Sequence, residues 1–139
     1  MIRIENELLN QIKKNGERTY NAECCGAILG KPGNGLFNIT DLLEFNNERS
    51  DNKERRYLIS PKQYLQSERI ASEKKLELLG FYHSHPDHPA IPSQFDTEHA
   101  FPNFIYLIVS VQKGNAENLT SWRLLEDRTG FEELEIDIL

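Results

Sequence analysis

At 139 residues the chain is long enough for one domain with a buried core, and its 16 Lys and Arg against 22 Asp and Glu give a formal charge of −6. No basic stripe interleaved with aromatics occurs, which argues against nucleic acid or an anionic membrane as a partner. Met1 to Glu7 lack the apolar stretch of a signal peptide, no run approaches the ~18 apolar residues of a membrane span, and the two cysteines, Cys24 and Cys25, are adjacent. The expectation is a single cytoplasmic domain over residues 1–139, with no disulfide framework and no Cys-rich zinc site.

In chain order, Ile4, Leu8, Leu9 and Ile12 recur at helical spacing, which predicts an amphipathic helix over residues 4–15 ended near Gly16. The apolar run Cys24 to Gly30, the turn-rich Lys31 to Gly35 and the segment Leu36 to Thr40 predict a two-stranded hairpin. Cys25 reads as a small core side chain and Cys24 as facing the other way, toward partial exposure. Residues 46–56 carry no apolar anchor and predict a mobile surface loop. Ser60-Pro61-Lys62-Gln63 has the form of an N-cap, a proline at the first helical position and a capping-box glutamine. A second helix is expected from there to about Leu79, ended by Gly80, with Tyr64, Leu65 and Ile70 as its core stripe. Strands are then predicted at 80–85, 104–111, 119–125 and in the 131–139 tail. Helices and strands interleave without the regular repeat of a doubly wound sheet, so the fold class is α/β with a mixed sheet and helices packed on it.

The run His83-Ser84-His85-Pro86-Asp87-His88 holds three of the chain's four histidines, and Ser93 and Asp96 follow closely. On a strand His83 and His85 share a face while Ser84 points away. Ser93 and Asp96 have the spacing of an N-cap and its third helical residue, which lets Asp96 turn a carboxylate toward the histidines. Two imidazoles and a carboxylate leave one tetrahedral position open, the pattern of a catalytic zinc site. A His-x-His pair alone is more often a hydrogen-bonded or surface pair, and Ser93 with Asp96 alone would be a helix cap. Asp87 and His88 serve equally well as a Pro-flanked turn or as partners that orient a ligand. His99 reads as a solvated helix residue.

His83, His85, Asp87 and His88 also match the His-x-His-x-Asp-His signature of the metallo-β-lactamase superfamily, a two-metal hydrolase class. Only 40 residues follow His99, the last histidine, too few for the second half of that fold. A zinc deaminase is excluded because its Pro-Cys-x-x-Cys pair is missing.

The pattern His83-Ser84-His85, seven residues, Ser93, two residues and Asp96, with Glu23 upstream, resembles the JAMM (MPN+) zinc metallopeptidase family. Glu23 to Gly30 and His85 to Ala90 are most similar to its small single-domain prokaryotic members. The resemblance implies a mixed, mostly antiparallel curved sheet flanked by helices, of cytidine-deaminase-like architecture. It implies one zinc ion per chain on His83, His85 and Asp96, with Glu23 as general acid/base and Ser93 as donor to the oxyanion. It further implies hydrolysis after the C-terminal Gly-Gly of a ubiquitin-like or sulfur-carrier protein, and leaves homodimerisation open. A non-catalytic MPN scaffold is the alternative of a different class; such members have lost metal ligands that are all present here.

Overall fold

The run Ile105 to Val111 is buried on both faces, and its alternation divides the core in two. Ile105, Leu107, Val109 and Val111 join Leu9 and Ile12 in one cluster, whereas Tyr106 joins Ala27, Phe81, Ala100 and Leu124 in another. This strand lies in an eight-stranded sheet seen in the computed structural model, which describes residues 1–47 and 59–139. The strands are β1 (Ile2–Ile4), β2 (Cys25–Gly33), β3 (Leu36–Phe45), β4 (Glu77–Pro86), β5 (Ile105–Gln112), β6 (Asn115–Leu124), β7 (Phe131–Leu134) and β8 (Ile136–Ile138). The helices are α1 (Asn6–Thr19), α2 (Pro61–Glu73) and α3 (Gln94–His99).

The strand order is β7-β6-β5-β4-β2-β3-β1-β8, with β1 parallel to β3 and β8, β4 parallel to β5, and the other neighbours antiparallel. Its two ends, β7 and β8, are separated in the chain by Glu135 alone, whose carbonyl accepts from the Ile2 amide at 2.9 Å. The sheet therefore curls until its edges meet, and α1 fills the concave side. Leu9 and Ile12 touch a cluster fed by all eight strands, from Ile2 to Ile136. Burying a side chain such as Ile12 contributes about 1.5–3 kcal/mol. Tyr82 is also fully buried there, and its hydroxyl accepts from Asn15 Nδ2 at 2.7 Å, so the polar atoms of the α1–β4 contact are paired. The expected mixed, curved sheet flanked by helices is what the chain forms.

Several boundaries differ from expectation. Ile4 belongs to a strand, and α1 runs past Gly16, which is buried against β5; a Cβ there would lie 2.9 Å from Val111 Cγ2. The glycine lets helix and sheet approach and does not end the helix. Helix α2 has the expected Ser60 cap and capping box but stops at Glu73. Lys75 takes the left-handed conformation (φ 57°) and the Leu76 amide returns to the Ala71 carbonyl at 2.8 Å, so a lysine ends this helix. Gly80 instead lies in β4, where a Cβ would stand 1.8 Å from the Ile105 carbonyl oxygen. The buried face of α2 is Gln63, Ser67 and Ala71, with Leu65 66% exposed, so Leu65 is not core. Cys24 is buried like Cys25, and burial pushes its thiol up to about 12. Of the expected loop at 46–56, all but residues 46 and 47 lie outside the described residues. No helix among the described residues is long and apolar enough to cross a membrane.

Candidate metal centre

Strand β4 delivers the two histidines from the middle of the sheet. His83 stands opposite Cys25 of β2 and Ile108 of β5, and His85 opposite Ser110. Both side chains are buried on one face, as strand alternation requires. Ser84, pointing away, joins β4 to the chain that leads into β2. Its hydroxyl accepts from the Cys24 amide at 2.8 Å and its amide donates to the Cys24 carbonyl at 3.3 Å. That clip holds the chain just before β2 against β4 and places Glu23, only 3% exposed, beside the histidines. The carboxylate of Glu23 and the imidazole nitrogens of His83 and His85 lie within 4.8 Å of one another. No local signature marks this proximity, because Glu23 is 60 residues upstream of His83 and arrives only through strand pairing.

Asp96 closes the group from α3. Ser93 caps this short helix: its Oγ accepts from the Asp96 amide at 3.1 Å, and Asp96 Oδ2 accepts from the Ser93 amide at 2.8 Å. The reciprocal cap fixes the rotamer that turns the carboxylate inward. Its Oδ1 is 3.2 Å from His83 Nε2, its Oδ2 is 3.1 Å from His85 Nε2, and the two Nε2 atoms are 3.2 Å apart. Ligand atoms about 2.0–2.1 Å from zinc at tetrahedral corners sit about 3.3 Å from one another, so the three donors already stand at nearly the edge length of such a site. His85 Nδ1 donates to the Pro89 carbonyl at 2.8 Å. In a neutral ring that leaves the lone pair on Nε2, pointing into the group. The residues therefore fit a small divalent cation such as zinc.

Electrostatics agree with this fit. Burial pushes the His83 imidazole below its ordinary range, although Asp96 pulls the other way. Burial alone would raise the Asp96 carboxyl, but the facing His83 and His85 hold it well below the usual carboxylate range. An ionised carboxylate beside an imidazole whose protonation burial disfavours is the state a cation needs.

The group borders an open cleft of about 380 Å³ lined by Glu23, His85, His88, Pro89, Ile91, Ser93, Gln94 and Phe95. Ser93 reaches this cleft at the exposed start of α3, and since its oxygen accepts from Asp96, its proton remains to be given. Asp87 takes no part: its φ is 56°, Oδ2 accepts from the Tyr20 hydroxyl at 2.5 Å and Oδ1 from the Lys113 amide at 2.7 Å. It is a turn residue tethered to α1, and the four-residue set of the two-metal signature does not gather. His88 lines the cleft but does not join the ligand atoms. His99 stacks on Phe95 with ring centroids 4.0 Å apart and stays exposed on α3.

The model of the prokaryotic homologs of the JAB domain matches residues 5–125. The chain belongs to this family. None of the curated proteins matches it. Among solved structures, the JAB-domain chain is similar to a protein from Salinibacter ruber, at 39% identity with a TM-score of 0.77, over 99% of this chain and 91% of that one. It is also similar to a protein from Desulfitobacterium hafniense, at 25% identity with a TM-score of 0.86, over 100% and 93%. A JAB1/MPN domain protein from Archaeoglobus fulgidus shares the fold at 16% identity, with a TM-score of 0.61 over 99% and 97%.

Proposed function

We propose that this JAB-domain protein is a zinc-dependent metallopeptidase or isopeptidase that hydrolyses the bond after the C-terminal Gly-Gly of a ubiquitin-like or sulfur-carrier protein. The observation that carries the reading is the convergence of His83, His85 and Asp96 with Glu23 beside one cleft, whose wall Glu23 and His85 form. His83, His85 and Asp96 would hold the ion. Zinc bound there supplies Lewis acidity, acidifying water toward a pKa of ~7 and polarising the scissile carbonyl. Glu23, buried beside the imidazoles, takes a proton from the attacking water and returns it to the leaving amine. The Ser93 hydroxyl donates a hydrogen bond to the oxygen that gains charge as the carbonyl is attacked. In this reading Glu23 is the group that carries the transferred proton, and His83, His85 and Asp96 serve as ligands. A half-open cleft of about 380 Å³ suits a narrow, small-residue tail better than a bulky one.

The test is the intact mass of a sulfur-carrier protein extended past Gly-Gly by a few residues, after incubation with the protein or its Glu23→Gln variant. Loss of the extension with the wild type alone is the expected result. An unchanged mass with zinc-loaded wild type, for peptide-extended and isopeptide-linked carriers alike, would refute the reading.

A further inference from the structure

His85 owes its orientation to a carbonyl in a segment without regular structure, Asp87 to Pro92. That carbonyl, on Pro89, is bracketed. On one side, the His88 carbonyl accepts from Ser110 Oγ at 2.6 Å and from Gln112 Nε2 at 3.2 Å, and Gln112 Nε2 also donates to Ser110 Oγ at 2.8 Å. On the other, the Ala90 carbonyl accepts from Thr120 Oγ1 at 2.6 Å, which itself accepts from Trp122 Nε1 at 2.8 Å. In each relay an N–H donor occupies the hydroxyl oxygen, so the hydroxyl proton has one direction left, toward the loop carbonyl. The relays start from β5 and β6, which pair with one another within the sheet, and end one residue before and one residue after Pro89.

We infer that Ser110 and Thr120 are positioning residues of the metal centre: they hold the Pro89 carbonyl where it fixes the tautomer and ring plane of His85. The inference rests on the metal-binding reading. Neither residue touches the donor atoms, and both lie outside the His83–Asp96 motif. A neutral imidazole has one N–H, and tying it to an acceptor-only carbonyl through Nδ1 forces the lone pair onto Nε2. With both hydroxyls gone, the loop keeps the Asp87 tethers at its start, the 3.2 Å bond from Gln112 to the His88 carbonyl and the local bond from the Ile91 amide to the Pro89 carbonyl at 2.9 Å, and Ala90 loses its tie to the sheet. The histidine would then divide its time between tautomers and ring orientations, and only one of these binds metal. Partners that hydrogen-bond a ligand directly typically change affinity 10–100-fold, and Ser110 and Thr120 act one bond further out, which sets the expectation at the low end.

Two readouts test this without relying on turnover. Zinc affinity, measured by competition with a chromophoric chelator, is expected to weaken about 10-fold in Thr120→Val and in Ser110→Ala, and further in the double variant. Thr120→Ser, which keeps the hydroxyl, should restore it. Ser67→Ala is the control: its hydroxyl also donates to a backbone carbonyl, Gln63 at 2.8 Å, but within α2, so it should lower thermal stability and leave zinc affinity unchanged. In metal-free protein, imidazole 15N shifts should report one Nδ1–H tautomer for His85 in the wild type and a mixture in the double variant. Wild-type affinity and a single Nδ1–H tautomer in a folded double variant would overturn the inference while the metal reading stands. If the double variant does not fold, the same result in both single variants overturns it equally. A wild type that takes up no zinc would overturn the metal reading, and the ligand role of His85 with it, whatever its tautomer.

Discussion

Glu23 and the three inward donors have separable roles, and substitution can tell them apart. Glu23→Gln keeps the shape and removes the carboxylate proposed as the base, so zinc content should stay at one per chain while kcat falls by about 10²–10⁴-fold; near-normal turnover would remove Glu23 from the mechanism. Ser93 caps α3 and is the proposed donor to the oxyanion, and different substitutions separate the two. Ser93→Ala loses cap and hydroxyl, about 1 kcal/mol of stability and ~10²-fold or more in kcat, whereas glycine is nearly as good a cap. Ser93→Gly should therefore retain stability and still lose turnover, and retention of both would leave Ser93 as a cap only. His83 sets a pH dependence in metal-free protein. Its folded pKa is depressed by burial below the ordinary 6.5, so between that folded value and 6.5 the unfolded chain binds more protons. Stability is fully present above pH 6.5 and is lost as pH falls toward the folded value. Urea midpoints of chelated protein should drop from pH 7 to pH 5, and His83→Gln should flatten that slope. Most of this constellation was legible in the sequence because His83, His85, Ser93 and Asp96 lie within 14 residues and strand and cap periodicity aim them. Glu23, the Ser84 clip and the Pro89 carbonyl were not aimed by any local pattern, since each acts through a partner brought in by the sheet or the loop.

At the scale of elements, glycine shows where reading by local signals stops. Gly16 and Gly80 both resemble helix terminators, and both are contact points where another element's atoms occupy the space of a Cβ. A sequence records the missing side chain but not whether conformation or crowding requires its absence. Helix α2 is shorter than its pattern suggests for the related reason that its true stop, Lys75, carries no stop signal. The hairpin, the Ser60 and Ser93 caps and the central strand were legible because caps, turns and alternation are encoded within a few residues. Gly80 yields a sharp expectation: in Gly80→Ala, β4 must move away from the Ile105 carbonyl, two residues from Tyr82 and three from His83. We expect a loss of about 1–3 kcal/mol or more in urea unfolding and weaker zinc binding from displaced histidines. A variant of wild-type stability would show that β4 and β5 can slide freely.

For the whole molecule, a metal bound at the candidate site would be coupled to the fold, because the site's residues come from three separate places: the approach to β2, the end of β4, and α3. An ion held there binds the folded chain and not the unfolded one. At a free zinc concentration of 100 times the dissociation constant the gain is about 2.7 kcal/mol. Stripping the metal with a chelator should therefore lower the melting temperature by roughly 5–15 °C with the far-ultraviolet circular dichroism unchanged. A melting temperature indifferent to chelation and zinc addition would contradict the coupling. Closure of the sheet was the feature least visible beforehand, since β1 and β8 pair across more than 130 residues, with Arg3 bonded to Asp137 at 2.9 Å.

That closure also sets an order in time. During synthesis the N-terminal strand emerges early, yet one of its two neighbours, β8, is the last strand of the fold to be made. Strand β1 can find β3 while the ribosome is still at work, but Ile2 and Ile4 complete their ladder only after residues 136–138 have emerged. Until β7 and β8 have emerged, β6 and β1 respectively present an unpaired edge, the kind of surface on which nascent chains stick to one another. For this protein the interval between the first strand and the last is the exposed stage of its life, and a chaperone that shields strand edges would act there.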